Sequence, residues 1–435
     1  MRIAVVALGK IGLPLAVQFA TKGHDVFGYD INPEVVRLVN AGETPFPGET
    51  DLDIRLAAVA ASGSLTATTN CGEAVGQAET VVVVVPLVVD ADGLPDFGSI
   101  DAATRDIGQN LRPGTLVTFE TTLPVGTTRT RFAPLLAQTS GLTIGQDLFV
   151  AFSPERVFTG RVFADLRRYP KLIGGVDEPS ARRAEELYQA TLDFDERADL
   201  KDPNGVWDLG SADAAEMAKL AETTYRDVNI ALANQFARYA DSVGIDIYNV
   251  IAASNSQPFS HIHQPGIAVG GHCIPVYPRF YLWNDPDASV VSAAREANSA
   301  MPQYAVDLLQ ANYGSLNGAR VTVLGAAYRG GVKETAFSGV FPTVAALERA
   351  GAIVKVHDPL FDDAELRALG FDAYEFGQAT DAAIVQADHE MYQSISSEDL
   401  PGVKVLVDGR RVTKPAHFPG VTWREIGGSA SRGTL

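Results

Sequence analysis

The chain has 435 residues, enough for two or three domains, and 46% of them are hydrophobic, enough for substantial buried cores. With 53 Asp and Glu against 35 Lys and Arg, the net charge of −18 argues against nucleic acid as a partner, because phosphate backbones require a net-basic face; it leaves room for a small phosphorylated ligand held by backbone amides and one or two basic side chains. The two cysteines, Cys71 and Cys273, are too few for a disulfide framework and fit a reducing, cytoplasmic compartment.

In chain order, Ile3–Ala7 reads as a strand, Gly12–Lys22 as a helix, and Asp25–Tyr29 as a second strand ending on Asp30. The opening Met1–Val6 run is expected to be too short for a signal peptide. The longest apolar run, Val81–Val89, is broken by Pro86 and has about half the length of a membrane helix, so it reads as a buried parallel strand over Val81–Val85 and no membrane partner is expected. Leu116–Phe119 is a further strand. Strand–helix alternation implies an α/β fold with a parallel sheet.

A turn-rich stretch, Asp202-Pro203-Asn204-Gly205, marks a boundary. Beyond it, Ser211–Val243 reads as one long helix, free of Gly and Pro and stopped by Gly244. A second strand–turn pattern starts at Arg320 with Val321–Gly325. Helix-like Phe341–Ala350 follows, then the strand Ile353–Val356 and the strand Val403–Val407 ending on Asp408. The expected organisation is two Rossmann-like parallel-sheet domains joined by a central helical segment: residues 1–205, 206–312 and 313–435.

Three motifs carry chemistry. Ala7-Leu8-Gly9-Lys10-Ile11-Gly12 sits between a strand and a helix, where a dinucleotide pyrophosphate meets a helix N-terminus. Gly9 permits close backbone approach and Gly12 close helix packing, while Ala7 stands where the turn glycine is usual. Asp30, at the end of the second strand, suits the adenine-ribose hydroxyls and repels a 2′-phosphate, which favours NAD over NADP. The second motif, Gly266-Ile267-Ala268-Val269-Gly270-Gly271-His272-Cys273-Ile274-Pro275, delivers a cysteine on a flexible loop; on local grounds a buried structural cysteine is the default and a presented nucleophile the alternative. His261 and His263 read as loop residues rather than metal ligands, and no metal is expected. The third is Lys219, set among Ala, Met and Leu on the long helix, where a buried lysine can serve acid–base chemistry.

Together these segments resemble the nucleotide-sugar 6-dehydrogenases, the family of UDP-glucose, UDP-N-acetylhexosamine and GDP-mannose dehydrogenases. The likeness covers nearly the whole chain: Gly9-Lys10-Ile11-Gly12-Leu13-Pro14, Glu120-Thr121-Thr122-Leu123-Pro124-Val125-Gly126-Thr127, Ser153-Pro154-Glu155-Arg156, Lys219, Gly270-Gly271-His272-Cys273-Ile274-Pro275, Tyr328-Arg329 and Asp408-Gly409-Arg410. Ser-Pro-Glu-Arg and Gly-Gly-His-Cys look most like the N-acetylhexosamine branch.

The resemblance implies a four-electron oxidation of a sugar primary alcohol to a carboxylate, with two NAD molecules used in succession. Cys273 matches the nucleophile that forms a thiohemiacetal and then a thioester, Lys219 the lysine that stabilises oxyanion charge, and Glu155 the acid that activates the hydrolytic water. Thr122 and Glu120 match residues that position water and nicotinamide. Lys10, Ile11, Pro86 and Thr121 join Gly9, Gly12, Asp30 and Glu120 around the cofactor. Arg156, Lys171, Gly270, Gly271, Tyr277, Tyr328 and Arg329 fall to the nucleotide sugar. The implied arrangement is an N-terminal NAD domain, a homodimer through the long central helix, a C-terminal nucleotide-sugar domain, and an active site between the two α/β domains with Cys273 facing the nicotinamide.

Four positions depart from the family pattern. Tyr277 stands for an Asp four residues after the cysteine, Thr223 for an Asn four after the lysine, and Phe259 and Ala336 each for an arginine. Thr223 can still donate a hydrogen bond, and Arg279 and Arg329 are candidates to restore the lost charge. The departures leave UDP or dTDP, and glucose or N-acetylhexosamine, open. Two rival functions share parts of the pattern: a two-electron dehydrogenase of the hydroxyacid type, and a nucleotide-sugar-binding relative without turnover.

Overall fold

Short β-branched runs build the first sheet of the computed structural model, which describes residues 1–90, 92–158 and 160–428. In chain order the strands are Arg2–Val6 (β1), Asp25–Tyr29 (β2), Leu65–Thr68 (β3), Thr80–Val83 (β4), a two-residue hairpin of Val88–Val89 (β5) with Pro95–Asp96 (β6), Thr115–Phe119 (β7), Leu148–Phe152 (β8), Lys171–Gly175 (β9) and Val206–Asp208 (β10). Eight of them form one sheet in the order β3-β2-β1-β4-β7-β8-β9-β10, parallel except where β9 runs against β8. Every residue of β4, β7 and β8 is buried, as expected of central strands covered on both faces by crossover helices. The strand expected over Val81–Val85 runs from Thr80 to Val83. It leaves the sheet before Pro86, which has no N–H to give a ladder.

The turn after β1 shows what replacing a glycine costs. Ala7 has φ 74°, a left-handed conformation that costs a residue with a Cβ about 1–2 kcal/mol. Gly12 sits so close behind it that a Cβ there would lie 1.9 Å from the Ala7 carbonyl oxygen. The glycine needed for close packing is therefore present, and the turn is closed by a strained alanine. The helix that follows, Gly12–Thr21, has no side-chain N-cap; the Leu13 amide donates to the Gly9 carbonyl at 3.1 Å and the Leu15 amide to the Ile11 carbonyl at 3.2 Å, and Pro14 has no N–H to satisfy.

Two compact units divide between Glu222 and Thr223, within the 32-residue helix Ala212–Val243. Gly244, at φ 73°, stops that helix. In the second unit, Arg320–Leu324 (β11), Ile353–His357 (β12), Ala382–Val385 (β13), Val405–Asp408 (β14) and Thr422–Glu425 (β15) form an all-parallel sheet in the order β12-β11-β13-β14-β15. The helices Ile247–Ser254 and Met301–Tyr313 share one apolar cluster with this sheet, including Ile251, Ile267, Met301, Leu309, Val323, Ile384 and Val407. Among the described residues, no helix is long and apolar enough to cross a membrane.

Candidate active site

In the first unit the sequence-derived cofactor residues gather at the carboxyl ends of β1, β2, β4 and β7, where strand order reverses and open α/β sheets bind ligands. A Cβ on Gly9 would meet nothing within 4 Å, so the loop is open on the side from which a pyrophosphate would approach. Lys10 is exposed and Ile11 half-buried beside it. Asp30 follows β2; its Oδ2 accepts from the Leu8 amide at 2.8 Å and its Oδ1 from the Asn32 amide at 2.9 Å. The carboxylate thus pins the glycine loop as well as standing where ribose hydroxyls are read. Thr121 follows β7 and donates its hydroxyl to the Val85 carbonyl at 2.6 Å, tying its loop to the one that carries Pro86. Thr122 is buried next to it. These groups fit a dinucleotide: a loop with open space at Gly9, a close turn-to-helix approach at Gly12 and one carboxylate at the ribose position.

Below that loop lies a buried charge cluster. Lys171 opens β9, is 4% exposed, and places Nζ 2.6 Å from Glu120 Oε2 and 3.0 Å from Glu155 Oε2. The Tyr188 hydroxyl donates to the other Glu120 oxygen at 2.7 Å. Burial lifts the Glu120 carboxyl to about 7 against the pull of Lys171. Burial also pushes Glu155 up, but Lys171, a hydrogen bond with Glu120 and the Arg156 amide together outweigh it and hold Glu155 below its ordinary range. The two carboxylates around one ammonium therefore divide their tasks: Glu120 retains a proton more readily and Glu155 stays ionised. Lys171 and Glu120, expected at the substrate and the cofactor, point into this cluster. Tyr188 carries no sequence signal, since it lies on an ordinary amphipathic helix.

Lys219 donates to the Glu155 backbone carbonyl at 2.7 Å, which brings the lysine expected for oxyanion charge beside the expected base. Arg156 pairs with Glu222. One turn before Lys219, the buried Glu216 accepts from the Gly126 amide at 2.5 Å and from the Thr128 amide and hydroxyl at 2.8 and 2.7 Å, fixing the segment that follows Thr122.

The two cysteines, Cys71 in the first unit and Cys273 in the second, differ in their surroundings. Cys273 is exposed, whereas Cys71 is buried, and burial pushes the Cys71 thiol up to about 11. The default expectation of a buried structural cysteine at position 273 is thereby corrected: a glycine-rich turn has too few side chains to enclose a thiol. The loop is moulded on Tyr328. A Cβ on Gly270 would lie 2.6 Å from the Tyr328 Cβ, and Gly271, at φ +91°, would place one 3.1 Å from its ring. The Cys273 carbonyl accepts from the Val276 and Tyr277 amides at 3.2 and 2.9 Å, where the helix Tyr277–Asn284 begins. Thr223 is buried in this unit. The Asn229 side chain holds both sides of the His261–His263 segment, donating to the His261 carbonyl at 2.7 Å and accepting from the His263 amide at 2.9 Å. Among the described residues, no group of three His, Cys, Asp or Glu could hold a metal.

A cleft of about 180 Å³ opens beside this loop, lined by Arg226, Gly266, Gly270, Ile274, Tyr328, Arg329 and Arg410 among others. Among the described residues that line it, three are arginines and none is acidic, a lining in an acidic protein that suits a diphosphate. Of the two candidates to restore the lost charge, Arg329 lines this cleft and Arg279 donates to the Pro275 carbonyl; Phe259 is 92% exposed. Arg410 braces the cleft, donating to the Gln386 and Tyr328 carbonyls at 2.9 and 3.2 Å. Its motif was visible in the sequence, but Arg226 is a residue that no local pattern marks.

Comparison with known proteins places these features in a family. The NAD binding domain of the UDP-glucose/GDP-mannose dehydrogenase family matches residues 1–192, its central domain residues 213–300, and its UDP binding domain residues 322–415. The UDP-N-acetyl-D-mannosamine dehydrogenase of Pyrococcus horikoshii is 36% identical, with 98% of this chain and 99% of that protein aligned. The NDP-N-acetyl-D-galactosaminuronic acid dehydrogenase of Ralstonia nicotianae is 30% identical over 94% of this chain and 95% of its own length. A solved structure of the P. horikoshii UDP-D-ManNAc dehydrogenase superimposes with a TM-score of 0.87 at 35% identity, covering 98% of this chain and 99% of that one.

Proposed function

The chain belongs to the UDP-glucose/GDP-mannose dehydrogenase family, and we propose that its substrate is a UDP-linked N-acetylhexosamine, oxidised at the primary alcohol to the uronate through a thioester on Cys273. At the coarser level, it is an NAD-dependent oxidoreductase of nucleotide sugars. The N-acetylhexosamine is favoured by the names of relatives at 36% and 30% identity. The covalent route rests on one observation, the exposed Cys273 thiol on a loop moulded against Tyr328.

NAD, when bound, takes up the hydride lost at each of two oxidations. Gly9 and Gly12 would let its pyrophosphate approach the backbone of the turn, and Asp30 would hold its ribose. The Cys273 thiolate adds to the carbon of the intermediate aldehyde, and the carbonyl oxygen gains a proton, giving a thiohemiacetal. Loss of a hydride and of the hydroxyl proton leaves a thioester. Water then adds, the C–S bond breaks, and the thiol is restored. The sugar thus loses four electrons and gains one oxygen from water. Lys219 carries the oxyanion charge, and Glu155, kept ionised by Lys171, serves as base for the water. The protein is further proposed to act as a homodimer through the long helix.

Two NADH per uronate are expected from UDP-ManNAc or a related UDP-N-acetylhexosamine, measured beside UDP-glucose and dTDP-glucose. One NADH per sugar would favour two-electron chemistry, and nucleotide-sugar binding without NADH a relative that lacks turnover. Cys273→Ala is expected to bind the nucleotide sugar and make no carboxylate; full uronate formation by that variant would sink the covalent route.

A further inference from the structure

The loop that presents Cys273 is held at both ends by one buried chain of polar side chains. At its start, the Gly266 amide donates to Asn234 Oδ1 at 2.9 Å. Asn234 Nδ2 donates to Asn298 Oδ1 at 2.9 Å. Asn298 Nδ2 in turn reaches Asp227, at 2.7 Å from Oδ1 and 3.0 Å from the backbone carbonyl. Arg295 Nη1 donates to the same Asp227 Oδ1 at 2.7 Å and to the Ile274 carbonyl at 3.4 Å. The chain of contacts therefore begins at the first residue of the loop and ends at the residue directly after the cysteine. Arg279 adds a bond from Nε to the Pro275 carbonyl at 3.1 Å. Asp227, Asn234 and Asn298 are essentially inaccessible to solvent.

This network is poorly designed for stability alone. Asp227 Oδ2 and Arg295 Nε are buried without a hydrogen-bond partner. A buried ion pair at best breaks even against apolar side chains of similar size, and two unmet polar atoms make the balance worse. What the network does achieve is geometric: two helices, Ala212–Val243 and Ser289–Ser299, hold the loop ends through short side chains and a planar guanidinium, while the glycines between supply no side-chain anchorage of their own.

We propose that Asp227 and Arg295 are positioning residues that set where the Cys273 thiol stands, by fixing the Ile274 carbonyl relative to the loop's start at Gly266. The proposal deepens, and rests on, the assignment of Cys273 as nucleophile. Asp227 orients Arg295 and Asn298 through a shared oxygen, and Arg295 transmits that orientation to the residue beside the thiol.

The decisive variant replaces the pair together, Asp227→Leu with Arg295→Met, in the full chain. Apolar replacement of a buried pair tends to be neutral or stabilising, so the melting temperature should hold near the parent's. Turnover should nonetheless fall about ten- to hundredfold, as expected for a reactive group displaced by a fraction of an ångström to an ångström, with KM for NAD and for the nucleotide sugar changed by no more than about twofold. Alkylation of the native protein by iodoacetamide reads Cys273 directly, because Cys71 is buried, and its rate should change in the same variant. Arg295→Lys keeps the charge but loses the planar fork, and should recover part of the turnover. A folded double variant with parental kcat and alkylation rate overturns the proposal; if the double variant does not fold, parental values in Arg295→Lys overturn it. An altered alkylation rate in these variants, alongside full uronate formation by Cys273→Ala, would defeat the nucleophile assignment while leaving the positioning intact.

Discussion

Lys171 illustrates how far a single residue's task depends on what lies across from it. In the sequence it is a lysine before Leu-Ile-Gly-Gly, and the family resemblance assigns it to the nucleotide sugar. In the structure, its ammonium lies between Glu120 and Glu155. Removing it with Lys171→Met would leave two buried carboxylates facing each other without a cation, and both would rise. Glu155, now held below its ordinary range chiefly against the push of burial, would be protonated nearer neutrality. As an acting base it must be ionised, so the acid limb of kcat should move to higher pH. Turnover at pH 7 should fall about tenfold for every pH unit by which that limb passes neutrality, and recover as pH rises. A pH–kcat profile tests this. An acid limb that stays in place would show that Glu155 is not the base, or that Lys171 does not govern it. The stability signs of the two carboxyls are opposite. Glu120, raised to about 7 by burial, contributes stability below its unfolded value that is lost as pH rises towards 7; Glu155, lowered, contributes stability above its unfolded value that is lost on acidification.

At the scale of elements, the long helix carries the clearest unspent surface. Tyr225, Leu232, Phe236, Tyr239 and Val243 are all exposed, and their spacing of seven, four, three and four places them along one helical face. On the other sides Ala233, Ala237 and Ala240 are buried, packing the helix into its own unit. Five large apolar side chains in one stripe are what a partner of matching shape would cover, which supports a second copy of the chain on this helix. Leu232→Glu with Phe236→Glu should convert a dimer to a monomer in sedimentation or light scattering; a variant that remains dimeric would place the interface elsewhere. The helix was legible because 32 residues pass without Gly or Pro before Gly244. Strands β1, β2, β7 and β11 were legible for a related reason, each being an apolar run that ends at a turn. The short helices of residues 247–313 were not resolved from sequence, because their apolar residues serve a cluster shared with a sheet far along the chain and leave no simple stripe. Strand β9 was also hidden: Lys171-Leu-Ile-Gly-Gly contains a charge and two glycines, and its pairing against β8 depends on partners no local pattern encodes. The candidate site shows the same division. The glycine loop is marked by a local motif, and Cys273 and Lys219 by the family resemblance, whereas Tyr188, Arg226, Asp227 and Arg295 gain meaning only from contacts with residues tens of positions away.

Across the whole molecule, an acidic chain that matches an NAD binding and a UDP binding domain has two phosphorylated ligands to attract, and its two units offer different means. The first unit offers backbone: the open turn around Gly9 leads into a helix with no side-chain cap, where an anion can approach the main chain. The second offers charge, with Arg226, Arg329 and Arg410 around one cleft. The two means should be separable by hydrogen exchange. NAD alone should slow exchange over Leu8–Leu15, and UDP alone over Gly266–Ile274 and Ala326–Arg329. A ligand at one hundred times its Kd adds about 2.7 kcal/mol to the state that binds it, so amides that exchange only through opening of the bound segment should slow by about 100-fold. High salt should weaken the UDP effect more than the NAD effect, because guanidinium charge around an open cleft is screened while amides that contact the ligand directly are not. Protection of Gly266–Ile274 by NAD, with Leu8–Leu15 unchanged, would reverse the assignment of the two ligands to the two units. Equal salt sensitivity would mean that the arginine cleft is not what holds the diphosphate.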